Sequence, residues 1–355
     1  KMLFTKYPKN KVTNKTIQDI NEIIAKVKPD ILHIFGTEYY HAYTFSRIFN
    51  KPSKTVIHIQ GLTQILSLMY TTDIPLFYKI MPLPSTLYRG NIIQQKYEFQ
   101  KRGLAEKRLL EFVSNISGRT HWDKDICSII NPTAEYHLLN ENLRKFFYTS
   151  NKWNYYECEK NTIFMSQSSY PIKGMHYFLK ALQILKKKNN LIKVKIAGVN
   201  PLNKDDLLSL LKTSNYGYYI HSLIKKFKLT QNIEFLGFLS EKQMIEEYLK
   251  ANIYISASVI ENSSNSISEA MMLGTPIIAS NVGGTESLIN ARENEGVLYQ
   301  FNDYFMLASQ INKLLSNPDL CIELSLNSIK KANILFNKER NINVLKQMYK
   351  RIYRR

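Results

Sequence analysis

Two glutamates eight residues apart, Glu261 and Glu269, have the most chemical promise of any pair in this 355-residue chain. Between them lie Asn262, Ser263, Asn265 and Ser266, small polar residues suited to capping a helix that starts near Asn265 or Ser266. The run IYISAS before Glu261 reads as a strand. It sets that carboxylate at the carboxyl edge of a sheet, where open α/β folds bind their ligands. Exposed N–H groups at the helix start, aided by the helix dipole, favour a phosphate. Glu269 lies about one turn inside, where a carboxylate accepts hydrogen bonds from ribose hydroxyls. Gly283 and Gly284 follow a further strand. The spacing alone is a weak signal. In this context the combination suggests a nucleotide-sugar site.

Such a site needs a layered scaffold, and the rest of the chain supplies its pattern. Short apolar runs alternate with helical periodicity, the mark of α/β layers around parallel sheets. In the first half Ile31–Phe35 and Thr55–Ile59 read as strands, each followed at once by Gly36 or Gly61, and a helix over about Ile17–Val27 precedes them. In the second half strands are expected at Thr162–Ser166, Val194–Ala197, Asn232–Leu236, Ile253–Ser256, Thr275–Ala279 and Gly296–Tyr299. Helices are expected over Gly174–Lys187, over a longer stretch ending near Phe227, and over Glu241–Lys250. This half reads as a doubly wound Rossmann-like domain. The domains are read as 1–150 and 151–337, with a polar linker near Thr149–Lys160. A basic helix over 338–355 is expected to pack back on the first domain. No strand–glycine loop–helix opening precedes Ile31, so the first elements of the amino-terminal domain are expected to be missing.

Composition narrows the class. Apolar residues make up 44% and charged residues 22%, which excludes a disordered chain and a membrane-spanning one. Cys127, Cys158 and Cys321 form no metal or disulfide spacing and read as small buried hydrophobes in a reducing compartment. The formal charge of +19 calls for an anionic partner. Its basic residues are scattered without a nucleic-acid motif, so nucleic acid is not expected. The stretch Asn91–Phe112, with Lys96, Lys101, Arg102, Lys107 and Arg108, suits anionic headgroups, or else a solvated helix face.

The segment Glu261–Glu286 resembles the E-x7-E signature of glycosyltransferase family 4, a group of retaining enzymes with the GT-B fold. Glu261 and Glu269 match the two glutamates, and Ala270, Met271 and Gly274-Thr275-Pro276 match the continuation. Ala279-Ser280, Gly283-Gly284 and Glu286 match its end. The likeness runs from about Pro29 to the end of the chain, and in detail is similar to bacterial capsule, exopolysaccharide and lipopolysaccharide transferases. It implies two Rossmann-like domains facing a cleft, with a nucleoside-diphosphate sugar held mainly by the second. It places Glu269 on the ribose and Glu261 at the donor sugar, where it stabilises positive charge at the reacting carbon. Lys173-Gly174 matches a family phosphate-binding pair, but Ser166-Gln167 stands where Gly-Arg is usual, so Gln167 replaces a cation and Lys173 must do more. Gln60, before Gly61, stands where family members commonly carry histidine. It can bind a hydroxyl but cannot transfer a proton.

Two further clusters read as acceptor-side loops: Thr37 and Glu38 after the first strand, and Arg119, His121 and Asp123 around Trp122, either a sugar platform or a core residue. The expected partners are the nucleotide-sugar donor and a saccharide or lipid-linked acceptor. The expected place is the cytoplasm, at the inner face of the cell membrane. No Asp-x-Asp motif stands in a suitable loop, so neither a metal nor a cofactor is expected, the nucleotide sugar being a substrate. The alternatives are a sugar-nucleotide epimerase or hydrolase on the same fold, and a non-catalytic nucleotide-sugar binder.

Overall fold

The computed structural model describes residues 12–198, 200 and 213–354. The chain's opening residues, part of the stretch read as helical before Phe227, and Arg355 lie outside the described residues. The described residues fall into two compact units. One draws on Lys1–Leu68, Lys96–Asn142 and Lys338–Arg355, the other on Met69–Gln95 and Leu143–Asn337. Residues 69–95 therefore group with the second unit, although they lie within the first domain of the sequence reading.

The first unit is built on a parallel sheet in the order β1 (Leu32–Phe35), β2 (Thr55–His58), β3 (Asn115–Gly118) and β4 (Glu135–Leu138). The β-branched and apolar residues of β2 are buried on both faces, as a central parallel strand requires. Ile57, Ile59 and Ile116 pack with Leu109, Leu110 and Cys127. The helix Ile92–Phe112 thus turns Leu109 and Leu110 into this core. Its Lys101 bonds Glu98 and its Lys107 pairs with Glu111, both pairs lying exposed along the helix. The final helix, Lys338–Arg354, sets Met348 and Ile352 against Val56 and Leu139.

One expectation needs correcting here. Ile116–Asp125 is not a loop: it opens within β3 and continues into the helix His121–Ile130, capped by Thr120, whose hydroxyl accepts from the Asp123 amide at 3.1 Å. Trp122 is half-buried and packs against the core cluster. Alternation fails as a guide because β3 is short and buried on both faces.

The second unit carries six parallel strands: β5 (Glu159–Met165), β6 (Lys193–Ala197), β7 (Ile233–Gly237), β8 (Ala251–Ser256), β9 (Ile277–Ser280) and β10 (Val297–Tyr299). Their spatial order is β10-β9-β8-β5-β6-β7. From β5 the chain winds outward through β6 and β7, then returns to the other side of β5 to lay down β8. The winding direction reverses between β5 and β8, and the crevice at their carboxyl ends is where a doubly wound sheet accepts a ligand.

Candidate functional site

Lys173 follows β5, Glu261 follows β8, and the switch point brings them together. The Lys173 ammonium bonds Glu261 Oε1, which also accepts from Ser258 Oγ at 3.3 Å. Burial alone would lower the Lys173 pKa, but the adjacent Glu261 carboxylate outweighs it and holds the ammonium above the usual lysine value. A lysine fixed in its charged form at a sheet's carboxyl edge suits an anion. The ammonium is occupied by Glu261, so an arriving phosphate must compete with that carboxylate.

Two glycines make this approach sterically feasible. Gly174 has φ +66°, and a Cβ there would lie 1.8 Å from the Ala257 carbonyl oxygen. Gly283, at φ +53°, would put a Cβ 2.0 Å from the Glu261 carbonyl oxygen, while the Gly284 amide donates to that same oxygen at 3.0 Å. The glycine pair therefore secures the backbone of Glu261.

The helix Asn265–Leu273 starts where the sequence pattern predicts, but its cap is Ser264, whose Oγ accepts from the Ile267 amide at 3.4 Å. Asn262 is buried, Ser263 and Ser266 are half-buried, and Asn265 is exposed. Glu269 is buried on the helix and paired with Arg144 Nη2 at 2.7 Å, with the Tyr248 hydroxyl donating to its second oxygen at 3.4 Å. Burial raises the Glu269 pKa above the usual carboxylate value, against the pull of Arg144. Arg144 is a site residue that sequence reasoning missed; it stands 125 positions away with no motif around it. Gln167 is exposed beside Tyr170, whose hydroxyl donates to it at 3.5 Å, and it supplies no charge. A small polar recess lies at these strand ends, lined by Ser166, Gln167, Lys173, Ser258, Glu261 and Ser266.

The sequence candidates of the first unit divide into two groups. Gln60 and Arg119 converge on Glu141, just beyond β4. Gln60 Nε2 donates to Glu141 Oε1, and Arg119 Nη1 donates to Oε2 at 3.1 Å. Arg119 Nη2 also donates to Gln60 Oε1 at 3.3 Å. His58 completes the ring, with Nε2 3.3 Å from Glu141 Oε1 and Nδ1 2.9 Å from Ser117 Oγ. The His58 imidazole, with Arg119 and Gln60, overcomes burial and lowers the Glu141 pKa to about 2. An open cavity of about 280 Å³ borders this carboxylate, with Phe35, His58, Asn140, Asn142 and Asn341 among its walls. Glu141 was not foreseen; only its partners carried a signal.

Thr37 belongs to the second group. It is buried, and its hydroxyl donates to the buried carboxylate of Glu106, which also accepts from Thr63 Oγ1 at 3.3 Å and the Gln64 amide at 3.4 Å. Burial raises the Glu106 pKa to about 7. Glu38 is half-buried, and burial raises its pKa as well. Gly61 contributes its carbonyl, which accepts from Thr37 Oγ1 at 3.5 Å, and His121 is exposed at the start of its helix. Thr37 thus ties two loops to a helix and presents no open hydroxyl.

Comparisons with known proteins agree with this construction. The family model described as "Glycosyl transferases group 1" matches residues 150–332, just over half of the chain. Spore coat protein SA of Bacillus subtilis is 25% identical over 194 residues, 54% of this chain and 49% of that protein. The chain spans about half or less of the length of the curated relatives it matches. Among solved structures, a sucrose-phosphate synthase from Thermosynechococcus elongatus superposes with a TM-score of 0.71 at 17% identity, over 96% of this chain and 77% of that one. Anabaena Alr3699/HepE, solved in complex with UDP-glucose, superposes with a TM-score of 0.67 at 15% identity, over 94% and 81%. These likenesses show the GT-B fold. The chain belongs to the glycosyl transferases of group 1.

Proposed function

We propose that the chain is a retaining glycosyltransferase of the family 4 type, moving a hexosyl group from a nucleoside-diphosphate sugar to a hydroxyl of a saccharide or lipid-linked acceptor. The observation that carries this reading is the meeting of Lys173 and Glu261 across the β5–β8 switch point, with Glu269 on the next helix. In the reaction the bond from the anomeric carbon to the diphosphate oxygen breaks, and the diphosphate leaves with the electron pair. The acceptor oxygen bonds that carbon on the same face, and its proton passes to the departing phosphate. Lys173, released from Glu261 by the diphosphate, neutralises the leaving charge. Glu261 then faces the positive charge growing on the sugar, and Glu269, oriented by Arg144, takes the ribose hydroxyls. The UDP-glucose bound by the similar Anabaena protein supports a nucleotide-sugar donor. The likeness to bacterial capsule, exopolysaccharide and lipopolysaccharide transferases supports a role in surface polysaccharide synthesis. The charge of +19 supports work at the cytoplasmic membrane face, and the sequence pattern, without an Asp-x-Asp motif in a suitable loop, supports transfer without metal.

The test is a panel of nucleotide sugars assayed for nucleotide release and glycosylated product, with and without acceptor. Glu261→Gln should lower kcat/KM about 100-fold or more with the preferred donor. Unchanged product formation would remove Glu261 from the reaction. Nucleotide release without a glycosylated product would favour hydrolysis.

A further inference from the structure

The segment Met69–Gln95 groups with the second unit and leaves several large apolar side chains exposed. Its anchors are modest. Ile74 and Ser85 are buried, the Tyr78 ring lies 4.8 Å from that of Tyr219, and Ser85 Oγ donates to the Thr213 carbonyl at 2.7 Å. Asn215 Nδ2 holds the Met81 carbonyl at 2.7 Å. Five other large side chains point outward, while Tyr70 and Ile92 join Ile74 among the buried residues. Leu76, Phe77, Ile80, Leu87 and Tyr88 are all exposed, from 51% at Ile80 to 91% at Leu87. Four of these five are solely apolar, and all lie within two one-turn helices, Leu76–Ile80 and Thr86–Arg89. Single exposed apolar residues are ordinary, but a contiguous set marks a contact surface.

Charge identifies the occupant. Between Asp73 and Glu98 the chain has no acidic residue, and its charged side chains are Lys79, Arg89 and Lys96. Asp73 lies near Tyr177 and Tyr219. A second copy of a chain with formal charge +19 would bring like charge to this basic, apolar surface. An anionic surface with an apolar interior would answer both features. Tyrosine, leucine and phenylalanine flanked by lysine and arginine are the side chains that settle at the headgroup boundary.

We propose that residues 76–89 are a docking surface for an anionic lipid bilayer, with Leu76, Phe77, Ile80, Leu87 and Tyr88 entering the headgroup–acyl boundary and Lys79 and Arg89 meeting the headgroups. The inference rests on the membrane-facing part of the proposed function and on nothing in its chemistry.

The test is co-sedimentation of the intact chain with phosphatidylcholine vesicles and with vesicles carrying about 30 mol% phosphatidylglycerol. The wild-type chain should bind the anionic vesicles and lose that binding on their neutral counterparts. The double variant F77S/L87S should lower the partition by about tenfold or more, and K79E/R89E should lower it at low salt. Both variants change exposed positions, and nucleotide binding in solution, outside the proposed contact, checks their folding. Equal binding by wild type and both variants would overturn the proposal, as would no binding by the wild type. A concentration-dependent dimer of the wild type, abolished by F77S/L87S in sedimentation without vesicles, would assign the surface to a second copy instead. Transfer to a soluble acceptor with no vesicle binding would sink this inference and the membrane-facing part of the proposed function, and leave the transfer reaction standing.

Discussion

The two units solve the same problem, holding a carboxylate at a sheet's carboxyl edge, by different means. In the second unit the approach is made by backbone: Gly174 and Gly283 let chain segments close to distances that any side chain would block, and Lys173 and Glu261 meet as a result. In the first unit side chains do the work. Glu141 is held by Arg119, Gln60 and His58, reaching it from the ends of β2 and β3. Backbone-built sites fail through sterics and side-chain-built ones through lost charge and hydrogen bonds. Substitutions should separate the two.

The largest effect is expected at Gly283→Ala. A Cβ 2.0 Å from the Glu261 carbonyl, at a left-handed φ, should cost about 3 kcal/mol or more and displace Glu261. Urea denaturation and donor binding check this together; a variant within about 0.5 kcal/mol of wild type would break the steric side of the contrast.

Next comes Glu106→Gln. The carboxyl of Glu106 titrates higher in the folded chain, near 7 against its ordinary 4.5, so its stabilising contribution is present at low pH and is lost as pH rises from about 4.5 through about 7. Above that window the amide variant should be more stable by on the order of 2 kcal/mol, and its stability should be flatter across it. Denaturation midpoints across that range decide the matter. If the two proteins follow parallel curves, Glu106 is not a buried acid.

Glu141→Gln has the opposite sign. The folded pKa near 2 lies below the ordinary 4.5, so its contribution is present above 4.5 and is lost as pH falls through that window. With Glu141 half-exposed, loss of its charge beside the buried Arg119 should cost about 1–2 kcal/mol at neutral pH and remove part of the acid sensitivity. An unchanged acid limb in the variant would show that the cluster is not held by charge.

The smallest effect is expected at Arg144→Ala. Arg144 is half-exposed, so solvent screens the pair, and stability should fall by no more than about 1 kcal/mol. Nucleotide affinity is the sharper readout. A drop of about fivefold would support Arg144 as the residue orienting Glu269, whereas no change would leave Glu269 positioned by Tyr248 and its own helix.

The donor-side elements were legible because they are local. From Ile253 to Gly284 a strand, a cap, a helix, a strand and two glycines follow one another in sequence, so the pattern and the place in space coincide. Lys173 was legible from its Lys-Gly context. Arg144 and Glu141 were not, since each joins its site through the fold's topology and neither sits in a motif. In the first unit, β3 (Asn-Ile-Ser-Gly) and β4 (Glu-Tyr-His-Leu) escaped notice because neither carries the apolar run that marks β1 and β2. The partner of Thr37 was not legible for a related reason. That partner, Glu106, lies 69 positions away on a helix whose charged residues otherwise read as a solvated face. The segment 69–95 showed no sign that it would group with the second unit, because its anchors are scattered single side chains and backbone carbonyls.

The route of the chain has a practical consequence. It passes from one unit to the other after residues 68, 95, 142 and 337, so neither unit is one continuous piece of sequence. A cut near residue 150 would yield two fragments, each carrying a segment that belongs to the other. The amino-terminal fragment would lack the helix whose Met348 and Ile352 close over Val56 and Leu139, while retaining residues 69–95 with nothing to rest on. Separate expression of halves is therefore the wrong way to isolate either unit. A faithful dissection would excise residues 69–95 behind a short linker and rejoin the last helix to Asn142 through another.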